Sequence, residues 1–207
     1  MNPDAWQQRW SEGRISFHLG RPHPALVREL ARFESARSVL VPLAGKAHDL
    51  DLLATGGRRV IANEIVEQAV RTFFEERALV PTESRPHGRL RLAHASIELD
   101  VGDFFTLRPE HLGGPVDAAF DRAALVAVDP GERSRYAAVL AELLRPGAIV
   151  LLVVFDMGRP PDVGPPFSFR PGEVEALFAP AFSVQELEPI TAPDGAHERV
   201  YELRRHE

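Results

Sequence analysis

The sequence has no cysteine, no long apolar run and no basic stripe, and each absence removes a class of protein. Without cysteine there are no disulfides, no thiol nucleophile and no thiolate metal site, which fits an intracellular protein. The longest apolar run, AIVLLVVF at 148–155, has the length of one buried strand and falls far short of the ~20 residues that span a bilayer. The N-terminal MNPDAWQQRWSEGR is polar and lacks the apolar centre of a secretory signal. A cytoplasmic protein with no membrane association is therefore expected. The formal charge is −6, and the basic pairs Arg58-Arg59 and Arg204-Arg205 are isolated. Nucleic acid is not an expected partner, because displacing phosphate counterions takes clustered Lys and Arg.

What is present reads as one α/β domain over residues 1–207. Pro24 opens a helix whose Leu26, Leu30 and Phe33 recur at helical spacing, and SVLVPL (38–43) is a strand that Pro42 ends. AHDLDLLATGG predicts a helix stopped by Gly56-Gly57, RVIANE a strand, and EQAVRTFFEERAL a third helix burying Ala69, Val70, Phe73 and Phe74. After the proline-containing connector 80–88, LRLAHASIELDV alternates around a turn as a hairpin does. VDAAFDR is a compact strand, and ERSRYAAVLAELLRPG a helix stopped at Pro146-Gly147. AIVLLVVF does not alternate, as expected of a strand buried on both faces. GEVEALF predicts a short helix, and FSVQELE and RVYELRR an antiparallel pair whose connection holds a turn. Together these give a Rossmann-like, doubly wound, mostly parallel sheet of seven strands, with helices on both faces and an antiparallel C-terminal edge.

Such sheets bind ligands at the carboxyl ends of their strands, where strand order reverses. The turn Pro42–Lys46 falls there. Gly45 lets the backbone pass close to a ligand, and the helix behind it offers free N–H groups to a carboxylate or phosphate. One glycine is too few for G-x-G-x-x-G, and Gly45-Lys46 is followed by Ala47 rather than the hydroxyl residue of a phosphate-cradling loop. A nucleoside with a zwitterionic end suits the turn better than a dinucleotide. Glu64 lies about twenty residues on, where a carboxylate accepts ribose hydroxyls; a solvated strand end is the plain alternative. In GDFF (102–105), Asp103 and Phe104 suit an adenine, although two phenylalanines there also suit a core. Phe167 in the PPF loop is a candidate wall for a substrate cavity. His18, His23 and His48 do not have the spacing of a metal set, and no metal is expected.

Five stretches in order, WQQRWSEGRISFH, VLVPLAGKAHDLDLLATGG, GDFF, FDRAALVAVDPGERSRYAAVL and GPPFSF, resemble the thiopurine S-methyltransferase family from Trp6 to about Phe178. The P-L-x-G-K turn and the D-R-A-A-L-V-A run ahead of R-x-R-Y are the most specific parts. The resemblance implies a class I methyltransferase that uses S-adenosylmethionine, releases S-adenosylhomocysteine and methylates sulfur in aromatic or heterocyclic thiols; bacterial relatives are associated with selenium and tellurium compounds. It further implies that residues 1–22 form a lid in which Trp10 and the Trp6–Phe17 segment cover the cofactor. Leu43 falls in the first turn, Glu64 on the ribose, Asp103 and Phe104 at the adenine, and Arg122 between the methionine end and the substrate. Phe17 and Arg122 thereby become substrate-side candidates. From the residues alone, Trp6 and Trp10 also read as a pair docking a helix, and Arg122 as a salt-bridge partner of Asp121 or Asp117.

Three positions depart from the family pattern. Ala44 replaces the cysteine of P-L-C-G-K, Asn63 stands where a small apolar strand residue is usual, and the segment before the last strand is short. That segment carries a substrate-binding arginine in the family, and Arg199 is the nearest candidate here. A thiolate acceptor needs no strong base, in keeping with the lack of an obvious catalytic dyad; positioning and exclusion of water are then the protein's main contributions. A monomer is expected. A cofactor-binding sensor without methyl transfer is the alternative reading.

Overall fold

The structure, a computed structural model, describes residues 3–158, 160, 162–191 and 197–207. Helix α1 (Pro3–Ser11) leads to α2 (Pro24–Glu29), which tightens into a 3₁₀ turn over Leu30–Phe33. There follow β1 (Ser38–Val41), α3 (Asp49–Ala54), β2 (Arg59–Glu64) and α4 (Glu67–Glu75). The strands β3 (Thr82–Ser84), β4 (Leu90–His94) and β5 (Ile97–Val101) form a meander. Next come β6 (Val116–Arg122), α5 (Arg133–Leu143), β7 (Leu144–Asp156), α6 (Glu173–Phe178), β8 (Phe182–Thr191) and β9 (His197–Arg205).

All the strands belong to one sheet, in the order β3-β4-β5-β2-β1-β6-β7-β9-β8. The five from β5 to β7 are parallel, and β9 lies between β7 and β8, antiparallel to both. The seven expected strands are therefore present. The sheet reaches nine strands among the described residues because the expected hairpin supplies two, β4 and β5, paired antiparallel, and because β3, inside the proline-containing connector, pairs with β4. All three β3 residues are exposed, so no hydrophobic alternation marks them in the sequence.

Side chains alternate between two core layers, as the strand period of two requires. In β1, Leu40 joins the layer under α5 and α6, which includes Phe104, Tyr136, Leu140 and Phe178. Val39 and Val41 face the other layer, with Phe33, Leu53, Phe73 and Phe74. Truncating a fully buried aromatic such as Phe73 would cost about 3–5 kcal/mol.

One boundary differs from expectation. Helix α5 ends at Leu143, ahead of Pro146-Gly147, because Leu144 already pairs with Val116 of β6. The register then shifts, and Pro146 and Gly147 fall in the resulting bulge, where a missing N–H and a positive φ (75° at Gly147) are tolerated. The turn expected between the last two strands has its centre, residues 192–196, outside the described residues.

β1 is the first strand in sequence, β2 lies on one side of it and β6 on the other. The crevice outside the carboxyl ends of β1 and β6 is thus the place where strand order reverses.

Candidate active site

Two chain ends at that crevice are strained. Leu43, just past β1, has φ 47°, and Ala123, just past β6, has φ 63°. Left-handed backbone at a side chain with a Cβ costs roughly 1–2 kcal/mol and is tolerated where the surroundings hold it. Both residues line a cavity of about 660 Å³, together with Trp6, Trp10, Phe17, Glu64 and Arg122.

The floor is built on Glu64. Its Oε2 accepts the Gly45 N–H at 2.8 Å and its Oε1 the Val66 N–H at 2.9 Å. Burial pushes this carboxyl up, opposed by those backbone donors. Each oxygen has a second lone pair, so the carboxylate can still accept from a ligand at the cavity face. Asn63, the polar residue one place earlier, is 1% exposed, and its amide nitrogen donates to the Gly102 carbonyl at 2.9 Å and the Asp100 carbonyl at 3.4 Å. With the Gly102 N–H on the Glu64 carbonyl, it fastens the end of β5 to the end of β2. An apolar residue there would leave the Gly102 carbonyl without this donor.

Helix α1 forms the roof. Trp6 and Trp10 are one helical turn apart and share a face. Phe17 packs edge-on against both, with ring centroids 5.9 and 6.1 Å away. Trp10 also rests on Val66 and Ala69. Gly45 lies directly beneath: a Cβ on it would stand 3.1 Å from the Trp10 ring, and its φ of 55° favours glycine independently. The glycine therefore sets how closely the roof approaches the turn.

Arg122 spans roof and floor. Its Nη1 donates to the Phe17 carbonyl, and its Nη2 stands 4.0 Å from Glu198 Oε1. Neither Asp121 nor Asp117 pairs with it; Asp117 instead receives the Arg37 and Ser38 N–H groups. Burial depresses the pKa of Arg122, and Glu198 and Asp49 oppose that. Its Nε is buried with no hydrogen-bond partner among the described residues. An unpaired charged donor beside a cavity is a place for a carboxylate ligand.

Asp103, Phe104 and Phe167 do not line this cavity. Asp103 caps the 3₁₀ turn Phe104–Thr106 through the Phe105 N–H at 3.0 Å. Phe104 is 1% exposed and stacks on Tyr136, centroids 4.6 Å apart. Phe167 packs against Gly164 and donates its N–H to the Val126 carbonyl, while Pro165 and Pro166 form the wall. Arg199 lies outside the cavity too, bonded to Glu186 at 2.8 Å on the sheet face it shares with Tyr201. The His18 and His48 rings lie 5.8 Å apart, tilted by 30°, outside the cavity lining, and no cluster of three metal-ligating side chains occurs among the described residues.

Three polar residues take places that the sequence reading did not assign them. Glu198 and His23 line the cavity and are hydrogen bonded to each other at 2.7 Å; a strand position and a proline-flanked turn gave no sign of it. Asp121 is fully buried, accepting from the Tyr136 hydroxyl at 2.7 Å and the Leu125 N–H at 3.1 Å. It thereby fixes the turn that presents Arg122 and Ala123.

A doubly wound sheet of this strand order, with an acid at the end of its second strand and a cavity at the reversal point, defines a class I S-adenosylmethionine-dependent methyltransferase. Burkholderia thailandensis 1,6-didemethyltoxoflavin-N1-methyltransferase, solved with 1,6-didemethyltoxoflavin and S-adenosylhomocysteine, shares the fold with a TM-score of 0.73 at 18% identity, over 99% of this chain and 87% of that one. The chain belongs to the thiopurine S-methyltransferase family, whose sequence model matches residues 1–201. The thiopurine S-methyltransferase of Pseudomonas fluorescens (strain SBW25) is 42% identical over 191 residues, covering 91% of this chain and 87% of that protein. That of Xanthobacter autotrophicus (strain ATCC BAA-1158 / Py2) is 37% identical over 198 residues, covering 94% and 92%. The protein is thus an enzyme that moves a methyl group from S-adenosylmethionine to sulfur of a small acceptor. No helix among the described residues is long and apolar enough to cross a membrane.

Proposed function

We propose that the cavity holds S-adenosylmethionine at its Glu64 side and a small aromatic or heterocyclic thiol between Phe155 and Pro166. The observation that carries this reading is one cavity, large enough for both, that gathers Glu64, Leu43, Arg122, Trp10 and Phe17 from four separate segments. When bound, the cofactor supplies a methyl group activated on a sulfonium. Glu64 accepts the ribose hydroxyls with its remaining lone pairs. The Leu43–Gly45 backbone admits the ligand closely, and the buried Nε of Arg122 donates to the methionine carboxylate or to an anionic acceptor. Asp103 takes the adenine amino group on its Oδ2, which carries no hydrogen bond among the described residues, and Phe104 supports that turn from beneath. Phe17 closes the acceptor side with Trp10, and Phe167 holds the Pro165-Pro166 wall in place.

The chain acts as one domain, with residues 1–22 as the lid, and as a cytoplasmic monomer. Light scattering tests the monomer. Heterocyclic thiols fit the apolar wall of Val126, Phe155, Pro165 and Pro166, and selenols are softer nucleophiles of the same shape. Transfer of labelled methyl to a panel of thiopurines, benzenethiols, selenols and tellurite tests the acceptor. Turnover confined to aromatic and heterocyclic thiols is expected; turnover of tellurite alone would overturn the assignment.

A further inference from the structure

Glu198 and His23 form a buried, hydrogen-bonded pair at the cavity that the assignments above leave unused. Glu198 is the second residue of β9, opposite Phe155, and is 5% exposed. Its Oε2 is hydrogen bonded to His23 Nε2. His23 Nδ1 accepts the Ala25 N–H at 3.2 Å, which assigns the ring proton to Nε2 and makes the histidine the donor to Glu198. Asp49 steadies His23 from behind, through its backbone N–H at 2.7 Å. Oε1 carries no hydrogen bond among the described residues, and the guanidinium of Arg122 is 4.0 Å from it. Arg9 and Arg21 are the remaining cationic residues that line the cavity among the described residues. A carboxylate held rigidly by one oxygen, with the other unengaged beside an apolar wall, is built to receive a donor.

We propose that Glu198 is a catalytic residue that accepts the N–H proton of a cyclic thioamide, the thione form of a heteroaromatic thiol. The inference rests on the proposed function and names the acceptor's chemical form. The acceptor's sulfur lone pair forms the new C–S bond while the bond from the methyl carbon to the sulfonium sulfur breaks, its electron pair remaining on the departing thioether. A neutral thione so methylated with its proton kept is a cation. In the same step the ring nitrogen's lone pair completes the C=N bond while the N–H proton passes to Oε1, its bonding pair staying on nitrogen, so positive charge does not build up on the ligand and the carboxylate is neutralised. His23 keeps Oε2 occupied and Oε1 turned to the cavity. An acceptor that arrives as a thiolate has no such proton to lose.

Glu198→Gln keeps the shape and removes the proton acceptor. Near neutral pH its kcat/KM for pyridine-2-thione should fall about a hundredfold, in the range of general-base contributions, and by far less for 4-nitrobenzenethiol, which is ionised there. Raising the pH past the thione's own ionisation should return the variant towards wild type, a recovery that a misplaced strand would not give. Independently of turnover, titrating pyridine-2-thione into protein saturated with S-adenosylhomocysteine, followed by the thione absorption band, should show weaker binding to Glu198→Ala. Calorimetry with S-adenosylhomocysteine reports whether each variant is folded. Equal losses on both acceptors, a loss that persists at high pH, or unchanged thione binding and turnover would each overturn the role of Glu198. If wild-type protein binds S-adenosylhomocysteine yet methylates neither thiol, the acceptor class itself is wrong; the absorption titration still judges Glu198.

Discussion

Gly45 donates its N–H to Glu64 Oε2 across nineteen residues, joining the end of β2 to the turn after β1. One carboxylate therefore shapes the turn and faces the cavity, and substitution at Glu64 has two consequences. Glu64→Ala removes the acceptor proposed for the ribose and leaves the Gly45 and Val66 N–H groups unpaired. Affinity for S-adenosylhomocysteine should fall by about a hundredfold, since hydrogen bonds to charged groups are worth about 1.5–3 kcal/mol. Calorimetry measures it directly, and unchanged affinity would contradict the ribose assignment. Glu64→Gln should lie between, because its amide must turn a donor toward one of two backbone donors.

Gly45→Ala tests how the roof sits on the turn. The added methyl would meet the Trp10 ring at 3.1 Å and would hold a left-handed φ. The strain costs about 1 kcal/mol, and the tryptophan must also move. Trp fluorescence should shift, and cofactor affinity should drop about tenfold. Trp10→Phe removes the opposing atoms, so in a double-mutant cycle the two changes should be less than additive. Strict additivity would place the Trp10 ring elsewhere in solution.

Arg122→Lys separates charge from geometry. Lysine keeps a cation but cannot hold the Phe17 carbonyl and face Glu198 together, as the planar guanidinium does. Hydrogen exchange at residues 15–19 should speed up in the variant, with cofactor affinity reduced about tenfold. An unaltered exchange pattern would show that Phe17 is held by its ring contacts alone.

The strands and helices that position the site were legible because periodicity and punctuation agree in them: β1 ends at Val41, just before Pro42, and α4 buries the four residues its spacing marks. Glu64 was legible for the same reason, being the last residue of a strand with a fixed distance to the turn. Glu198 was not. Arg199 drew attention as the nearest cation, yet in a strand adjacent residues face opposite sides, and only pairing with β7 decides which one meets the cavity. His23 and Asp121 were hidden similarly, since their partners are 175 and 15 residues away. Phe104 illustrates the reverse case. Its place in GDFF suggested an adenine wall, and burial against Tyr136 makes it core, the plain reading that stood beside the functional one.

Phe104→Ala should consequently act first on stability. Emptying a fully buried aromatic site next to Tyr136 should cost about 3–5 kcal/mol, read as a lower urea midpoint. Cofactor affinity of the folded protein should change less than in Glu64→Ala. A larger loss of affinity than of stability would bring the ring to the adenine when the ligand is bound.

Asp121 gives the fold a pH dependence whose sign can be stated. Burial raises its carboxyl from the ordinary value near 3.8 to about 6, despite the hydrogen bonds from Tyr136 and Leu125. The folded state thus holds this proton more tightly than the unfolded chain does. The resulting stabilisation is complete below about 3.8, declines as pH rises, and is lost once pH passes about 6. Two pKa units correspond to about 3 kcal/mol. Asp121→Asn cannot titrate, so the stability difference between it and wild type should move in the variant's favour between these pH values and then level off. Urea unfolding of both proteins across that window measures the difference. Tyr136→Phe removes a donor to the carboxylate, so it should raise the Asp121 pKa further and carry the upper end of the window to higher pH. Parallel pH profiles for wild type and Asp121→Asn would mean that this carboxyl is solvated in the folded protein, and that the turn presenting Arg122 is held by its backbone alone.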